Sequence, residues 1–346
     1  MPIIATRGCP YQCTFCSSPT MWTTRYVTRK PALVVDEIEH YINEYGAENI
    51  DFMDLTAICR KSWVLEFCEE VRNRSLSFTW QLPSGTRTEA LDEECIAAMA
   101  STGCMNVTLA PESGSPRTLK EIKKRVKLAR IYETIRHAKK HGLYVKCNLM
   151  LGFPKETRWD ILRTLWVNLR FAFMGVDDVG LYLFSPYPGS ELFTYLQTNG
   201  KIKELDHSYF EGLMIFMGLR NSGNICENVG PRELSFYRFI GMSMFYGLSY
   251  LLHPSHILRS IRNYKNSRSD TVFEERLFST FRRIRIETAT RKSRSPVCDE
   301  SPREVVVNRQ ILSDDPERIS VPAEASERIS VPAEASVPVG LPRVGF

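Results

Sequence analysis

The sequence contains no segment typical of export or of a bilayer span. Residues 1–7 lead directly to Cys9 without an apolar core or a cleavage site, so we expect a cytoplasmic protein. The most apolar later stretch, residues 236–252, includes Arg238 and is short for a membrane span, which favours a buried helix. The formal net charge of +5 is modest and gives no reason to expect a nucleic-acid partner.

The ten cysteines are spread over a long chain and do not resemble a small secreted disulfide scaffold. Only Cys9, Cys13 and Cys16 are closely spaced, as C-x3-C-x2-C. Three thiolates in one short loop can bind three irons of a cubane cluster. A zinc site usually needs a fourth nearby Cys or His, and ferredoxin runs supply four cysteines to each cluster. The spacing therefore predicts metal binding in a reducing compartment.

Six of the seven remaining cysteines show no second paired spacing, so we expect small core residues and no auxiliary cluster. They are Cys59, Cys68, Cys95, Cys104, Cys147 and Cys226.

Apolar strands alternate with amphipathic helices up to about residue 190. Pro31 suits the first position of the first helix, and Gly46 suits the left-handed conformation after its end. This alternation demands parallel strands with right-handed crossovers, so both a barrel-like and an open doubly wound α/β sheet fit. The six predicted strands are residues 3–5, 49–55, 77–82, 105–110, 144–151 and 178–184. The later predicted helices are residues 62–74, 92–101, 127–141 and 157–174.

The remaining chain divides into two parts. We predict a core at residues 1–190, a helical extension at 191–292 and a disordered low-complexity tail at 293–346. The extension becomes rich in basic residues from residue 255, and such a run of charges usually forms a solvent-exposed face. The tail repeats ERISVPAEAS at residues 317–326 and 327–336, and neither copy has a core-forming pattern.

Residues 8–16, GCPYQCTFC, resemble the signature of radical S-adenosylmethionine (SAM) enzymes. The closest resemblance is to the branch of anaerobic magnesium-protoporphyrin ester cyclase and cobalamin-dependent methylases. It implies a partial (β/α)6 TIM-like barrel, which favours the barrel over the open sheet. The other similar segments are residues 51–56, 87–94, 103–124, 152–157 and 187–192.

The resemblance implies a 4Fe–4S cluster bound by the three cysteines, SAM as cofactor, and an electron donor such as flavodoxin or ferredoxin. Relatives in this branch usually carry a cobalamin-binding domain before the barrel, whereas this sequence begins at the first barrel strand. We therefore expect cobalamin only if a missing or separate domain supplies it. The residues implied to bind SAM are Phe15, Asp54, Arg87, Glu112, Ser113, Asn148 and Gly152.

Some of these residues have an alternative interpretation. Arg87 could be a surface arginine, Asn148 a buried structural amide, and Glu112 with Ser113 a plain turn at a strand end.

The resemblance implies an enzyme that functionalises a C–H bond of a small or lipid-like substrate, by methylation, cyclisation or a similar reaction. Two alternatives stay open: a tRNA methylthiotransferase, and a non-catalytic iron–sulfur electron-transfer protein. We expect no nucleic-acid partner and leave a peripheral membrane contact open.

Overall fold

The computed structural model describes residues 1–56, 58–214 and 225–293. Six parallel strands form its core in two groups of three, in the orders β1-β4-β5 and β6-β7-β8. Parallel bridges between Trp80 and Cys104 and between Thr86 and Leu109 connect the two groups. These six strands are β1 (Pro2–Ile3), β4 (Asn49–Phe52), β5 (Thr79–Gln81), β6 (Asn106–Glu112), β7 (Tyr144–Leu151) and β8 (Asp178–Leu183).

The spatial order of these strands follows their order along the chain. In a doubly wound sheet the chain starts in the middle and reverses direction at a switch point. An order without reversal is that of a barrel wound in one direction, so the predicted partial barrel is confirmed.

The burial pattern of β7 shows how the barrel positions side chains. Val145, Cys147 and Leu149 are fully buried and belong to the main core under the helices. The alternate residues, Lys146 and Asn148 among them, are only half-buried. Because successive side chains in a strand point to opposite faces, these alternate residues face the barrel interior.

The helices that cover the strands begin and end close to the predicted residues. The first of them follows Lys30, carries Pro31 in its first turn, and ends at Gly46, whose φ of 62° is left-handed. Asp92 caps a later helix by accepting a hydrogen bond from Cys95 N at 3.0 Å. The helices over the barrel are α2 (Pro31–Tyr45), α3 (Lys61–Asn73), α4 (Glu93–Ser101), α6 (Leu128–Lys140) and α7 (Arg158–Phe173).

Short elements complete the barrel mouth. Thr6–Arg7 (β2) and Val27–Thr28 (β3) form an antiparallel ribbon on either side of the cysteine loop. Helices α1 (Ser18–Trp22) and α5 (Pro116–Glu121) follow the cysteine loop and β6 respectively, and Thr88–Ala90 forms a 3-10 turn after β5.

All regular secondary structure after β8 is helical within the described residues, as predicted for the extension. One face of its longest apolar helix packs on α7 and β8, but Phe236 and Phe239 on the other face are 57% and 59% exposed. The expectation of a fully buried helix was therefore wrong for this face. The helices are α8 (Glu191–Thr198), α9 (His207–Met214), α10 (Pro231–Leu252), α11 (Pro254–Lys265) and α12 (Val272–Ser293).

No helix among the described residues is long and apolar enough to cross a membrane. Contacts group Met1–Thr290 into one compact unit. The predicted tail and its repeat lie outside the described residues from residue 294 onward.

Candidate functional site

The three closely spaced cysteines lie on a loop between β2 and α1. Gly8 begins this loop with a φ of 82°, and a Cβ at this position would overlap the carbonyl oxygen of Arg25, so glycine is required. Thr14 then fixes the loop from both sides. Its N–H donates to Ile122 O at 3.0 Å, and its carbonyl accepts from Leu192 N at 2.8 Å. The loop is thereby tied to the ends of α5 and α8.

Each cysteine thiol has a polar neighbour. Thr56 Oγ1 lies 3.5 Å from Cys9 Sγ, and Ser18 N donates to Cys16 Sγ at 3.4 Å. Cys13 is buried, with Arg87 Nη2 at 3.8 Å from its sulfur. These contacts place hydrogen-bond donors around a set of sulfur ligands, as the partners beyond metal ligands commonly do.

Burial and nearby positive charges act in opposite directions on the pKa values of Cys13 and Cys16. Burial raises the pKa of Cys13, and the positive charges of Lys124 and Arg87 act in the opposite direction. Burial also raises the pKa of Cys16, where the Ser18 N–H opposes it and the neighbouring Cys13 and Cys9 add to it. Two nearby cations thus favour the thiolate form that binds metal.

Among the described residues, no three His, Cys, Asp or Glu side chains form a group that could hold a single metal ion. A cubane cluster makes a different demand, since each thiolate binds a separate iron atom and the ligands lie around the cluster. A donor set of three soft thiolates on one loop, with cations and N–H donors beside them, fits such a cluster better than it fits one ion.

Arg87 lies directly behind the cysteine loop. Its side chain stacks on the Tyr11 ring, with Cζ 3.4 Å from the ring centroid, and Nη1 donates to Arg125 O at 3.2 Å. The residue is only 8% exposed, so it is not a surface arginine. With its contact to Cys13, the guanidinium joins the loop to the segment that precedes α6.

Asp54, just after β4, is buried beside the chain that enters the cysteine loop. Its carboxylate accepts hydrogen bonds from Ala5 N, from Thr6 N and, at 2.5 Å, from Thr6 Oγ1. Burial raises its pKa, and these hydrogen bonds act in the opposite direction. The carboxylate is thus used to hold the backbone before the loop.

Glu112 ends β6 in a left-handed conformation with a φ of 67°. Lys124 Nζ donates to its Oε1 at 2.8 Å, and both side chains are about one-tenth exposed. Lys124 also lies 5.9 Å from the centroid of the Phe15 ring. The ion pair therefore links the end of β6 to the residue before Cys16.

Ser113, the next residue, is fully buried and takes part in the turn itself. Its hydroxyl hydrogen-bonds Thr164 Oγ1 on α7 at 3.0 Å and accepts from Ser115 N at 3.1 Å. These contacts position α5 against α7.

Asn148 and Gly152 belong to the end of β7. Asn148 faces the barrel interior, and its Oδ1 is buried with no hydrogen-bond partner among the described residues. Gly152 has a φ of 89°, and its N–H donates to Glu156 Oε2 at 2.6 Å. The next residue, Phe153, packs on Phe15 with ring centroids 5.9 Å apart.

The structure thus brings the cysteine loop together with Arg87, Glu112 and Phe15, whereas Asp54 and Ser113 form hydrogen bonds that hold backbone and turns. Sequence analysis did not identify Lys124 as a site residue, because it lies among several basic residues and such a pattern is typical of a solvent-exposed surface. Other missed residues are Tyr11, Thr56 and Glu156.

Residues 3–165 match the model of the Radical SAM superfamily. An uncharacterized methyltransferase of Pyrococcus horikoshii is 28% identical over 238 residues, which cover 68% of this chain and 50% of that protein. Anaerobic magnesium-protoporphyrin IX monomethyl ester cyclase of Cereibacter sphaeroides is 27% identical over 207 residues, 59% of this chain and 33% of the cyclase. The chain therefore spans half of the first relative and a third of the second.

A solved structure has a similar fold. It is the radical S-adenosylmethionine methyltransferase TsrM from Kitasatospora setae with cobalamin and a 4Fe–4S cluster bound. It matches with a TM-score of 0.53 and 16% sequence identity, over 71% of this chain and 50% of that one. The match supports the partial barrel seen in the strand order.

Proposed function

Because the chain belongs to the radical SAM superfamily, we propose that it holds a 4Fe–4S cluster through Cys9, Cys13 and Cys16 and cleaves SAM to functionalise a C–H bond. The substrate is a small or lipid-like molecule. The observation that carries this proposal is the anchored loop, which bears all three cysteines and on which Cys13 contacts Arg87.

Cys9, Cys13 and Cys16 would hold a 4Fe–4S cluster, which when bound would supply the single electron needed for reductive cleavage of SAM. The chain's own residues would bind the cluster and SAM, orient them and shield the site from water. Arg87 and Lys124 offset the negative charge of the thiolates, and the Ser18 N–H donates to one sulfur.

The strand ends offer acceptors for polar groups of SAM. Glu112 presents a carboxylate that is held in place by Lys124, and Asn148 presents toward the barrel interior an amide oxygen that has no partner among the described residues. We assign Asn148 to SAM binding because a buried acceptor without a partner is costly unless a ligand satisfies it. We assign Glu112 to SAM binding as the resemblance implies, since its fixed carboxylate can accept from a polar group of SAM.

An aromatic cluster forms the wall between the cysteine loop and the end of β7. Phe153 lies 5.9 Å from Phe15 and 5.1 Å from Phe184 between ring centroids. Such a wall excludes water from one side of the site, which protects a reactive intermediate from side reactions.

The first prediction concerns the cluster. The full chain, reconstituted anaerobically with iron and sulfide, should bind about four irons per chain, and after chemical reduction it should convert SAM to 5′-deoxyadenosine. Cys13→Ala should lose most of the iron and all of the cleavage. The matched control is Cys68→Ala, a buried cysteine of α3 outside the site.

Three results would contradict the proposal: zinc in place of iron, full iron content in Cys13→Ala, or a reduced cluster that leaves SAM intact. The last result would instead favour the electron-transfer protein.

The second prediction concerns Glu112. Glu112→Ala should retain its iron but bind SAM about ten- to a hundredfold more weakly, because a hydrogen bond to a charged group contributes roughly 1.5–3 kcal/mol. Glu112→Gln is the matched variant, since its amide oxygen can still accept from Lys124. Equilibrium dialysis measures the SAM affinity of both variants. Equal affinity in Glu112→Ala and the native protein would limit Glu112 to its ion pair.

A further inference from the structure

A second feature beside the cysteine loop shares Lys124 with the proposed SAM site but is otherwise lined by other residues. It is a cleft of about 1250 Å³. Tyr11 and Gln12 line one side, and α5 with the segment that leads to α6 lines the other. None of the strand-end residues Glu112, Asn148 and Gly152 is among its lining residues.

The cleft is strongly cationic. Six of its lining residues are basic and one, Glu89, is acidic. Three of the basic residues are exposed and form no ion pair within the described part of the chain, whereas each of the other three pairs with a glutamate. The three unpaired residues are Lys120, Arg125 and Lys127.

The cleft is also connected to the cysteine loop by direct contacts. Arg87 stacks on Tyr11, which lines the cleft, and donates to the carbonyl of Arg125 on its opposite side. The same guanidinium lies 3.8 Å from Cys13 Sγ. One buried side chain therefore separates the cleft wall from a proposed cluster ligand.

We propose that this cleft is the docking site of an acidic one-electron donor protein of the flavodoxin class, an inference that rests on the proposed function. In the transfer, the donor loses one electron and the cluster gains it, while no bond forms or breaks and no proton moves.

The distribution of charge favours a protein surface over a small anion. The unpaired cations are exposed, with Lys120 in α5 and with Arg125 and Lys127 in the segment between α5 and α6. Such an arrangement steers an acidic surface toward the loop and increases its rate of association.

The test begins with binding of an oxidised flavodoxin to the full reconstituted chain, measured by calorimetry at low and high salt. The charge-reversal variant carries Lys120→Glu, Arg125→Glu and Lys127→Glu. We expect its dissociation constant to rise by at least about tenfold at low salt, with most of the salt dependence lost.

The matched control reverses three other exposed cations, Lys201→Glu, Lys203→Glu and Arg232→Glu, none of which lines the cleft. It should bind flavodoxin within about twofold of the native chain, because only local charge steers docking. Equal affinity of all three proteins would overturn the proposal.

The second measurement compares two reductants. With reduced flavodoxin, SAM cleavage by the charge-reversal variant should slow by at least about tenfold. With reduced methyl viologen, a small cation that needs no docking surface, it should match the native chain. Equal loss with both reductants would overturn the proposal and indicate that the cleft binds an anionic substrate.

Failure of the proposed function can be distinguished from failure of the docking proposal. If the proposed function is wrong, the native chain will cleave SAM with neither reductant. The binding measurement will still show whether flavodoxin docks at the cleft.

Discussion

At the residue scale, Glu156 is a buried acid that the sequence did not identify as part of the site. It is fully buried, and its Oε2 accepts from the N–H groups of Gly152 and Phe153, while Oε1 has no partner among the described residues. Burial raises its pKa to about 8, although the two hydrogen bonds act in the opposite direction. The carboxyl group thus holds the turn after β7 mainly in its neutral form at pH 7.

The third prediction follows from this raised pKa. Glutamate in an unfolded chain titrates near 4.3, so between about pH 4.3 and 8 the folded state binds more protons and stability falls as pH rises. Glu156→Gln lacks this titration. Its melting temperature relative to the native protein should therefore increase from pH 5 to pH 8, as scanning calorimetry would show. The control is Glu204→Gln at an exposed site, and parallel curves for native protein and Glu156→Gln would contradict the raised pKa.

At the element scale, the long periodic segments could be predicted from the sequence and the short ones could not. All six barrel strands were predicted, β7 with its exact bounds, because apolar runs between helices and glycines identify them. The ribbon of β2 and β3 has two residues in each strand, too few for any periodicity. The exposure of one face of α10 was not predicted, because the sequence of an apolar helix does not indicate which of its faces packs against the rest of the protein.

The candidate site divides in the same way. The three cysteines could be selected as candidate ligands because their spacing is local, and their role as ligands stays a prediction. The contacts of Arg87 with Tyr11 and of Lys124 with Glu112 join different loops. Such contacts depend on the folded positions of several strand ends, which a single sequence does not contain.

At the scale of the whole molecule, one buried carboxylate connects the barrel to the helical extension. Asp177, which precedes β8, accepts from Lys139 Nζ at 2.7 Å, from Val145 N at 2.9 Å and from Arg259 Nη1 at 2.6 Å. His256 of α11 lies 3.4 Å away. Burial alone would raise the pKa of Asp177, but the His256 hydrogen bond and the Lys139 charge hold it well below its usual range. The group is therefore fully ionised at neutral pH.

The fourth prediction tests this connection. Asp177→Asn keeps the size of the side chain but leaves Lys139 and Arg259 without a counter-charge, and removing one partner of a buried ion pair costs about 3–5 kcal/mol. Urea unfolding at pH 7 should show a loss of about 3 kcal/mol. The loss should shrink as pH falls below about 4, because the unfolded aspartate then binds a proton that the native group, whose pKa is held well below its usual range, does not bind. Glu204→Gln, at an exposed site, is the control and should change stability by less than about 0.5 kcal/mol. A loss below about 1 kcal/mol in Asp177→Asn would mean that apolar packing between α7 and α10, rather than this carboxylate, holds the extension on the barrel.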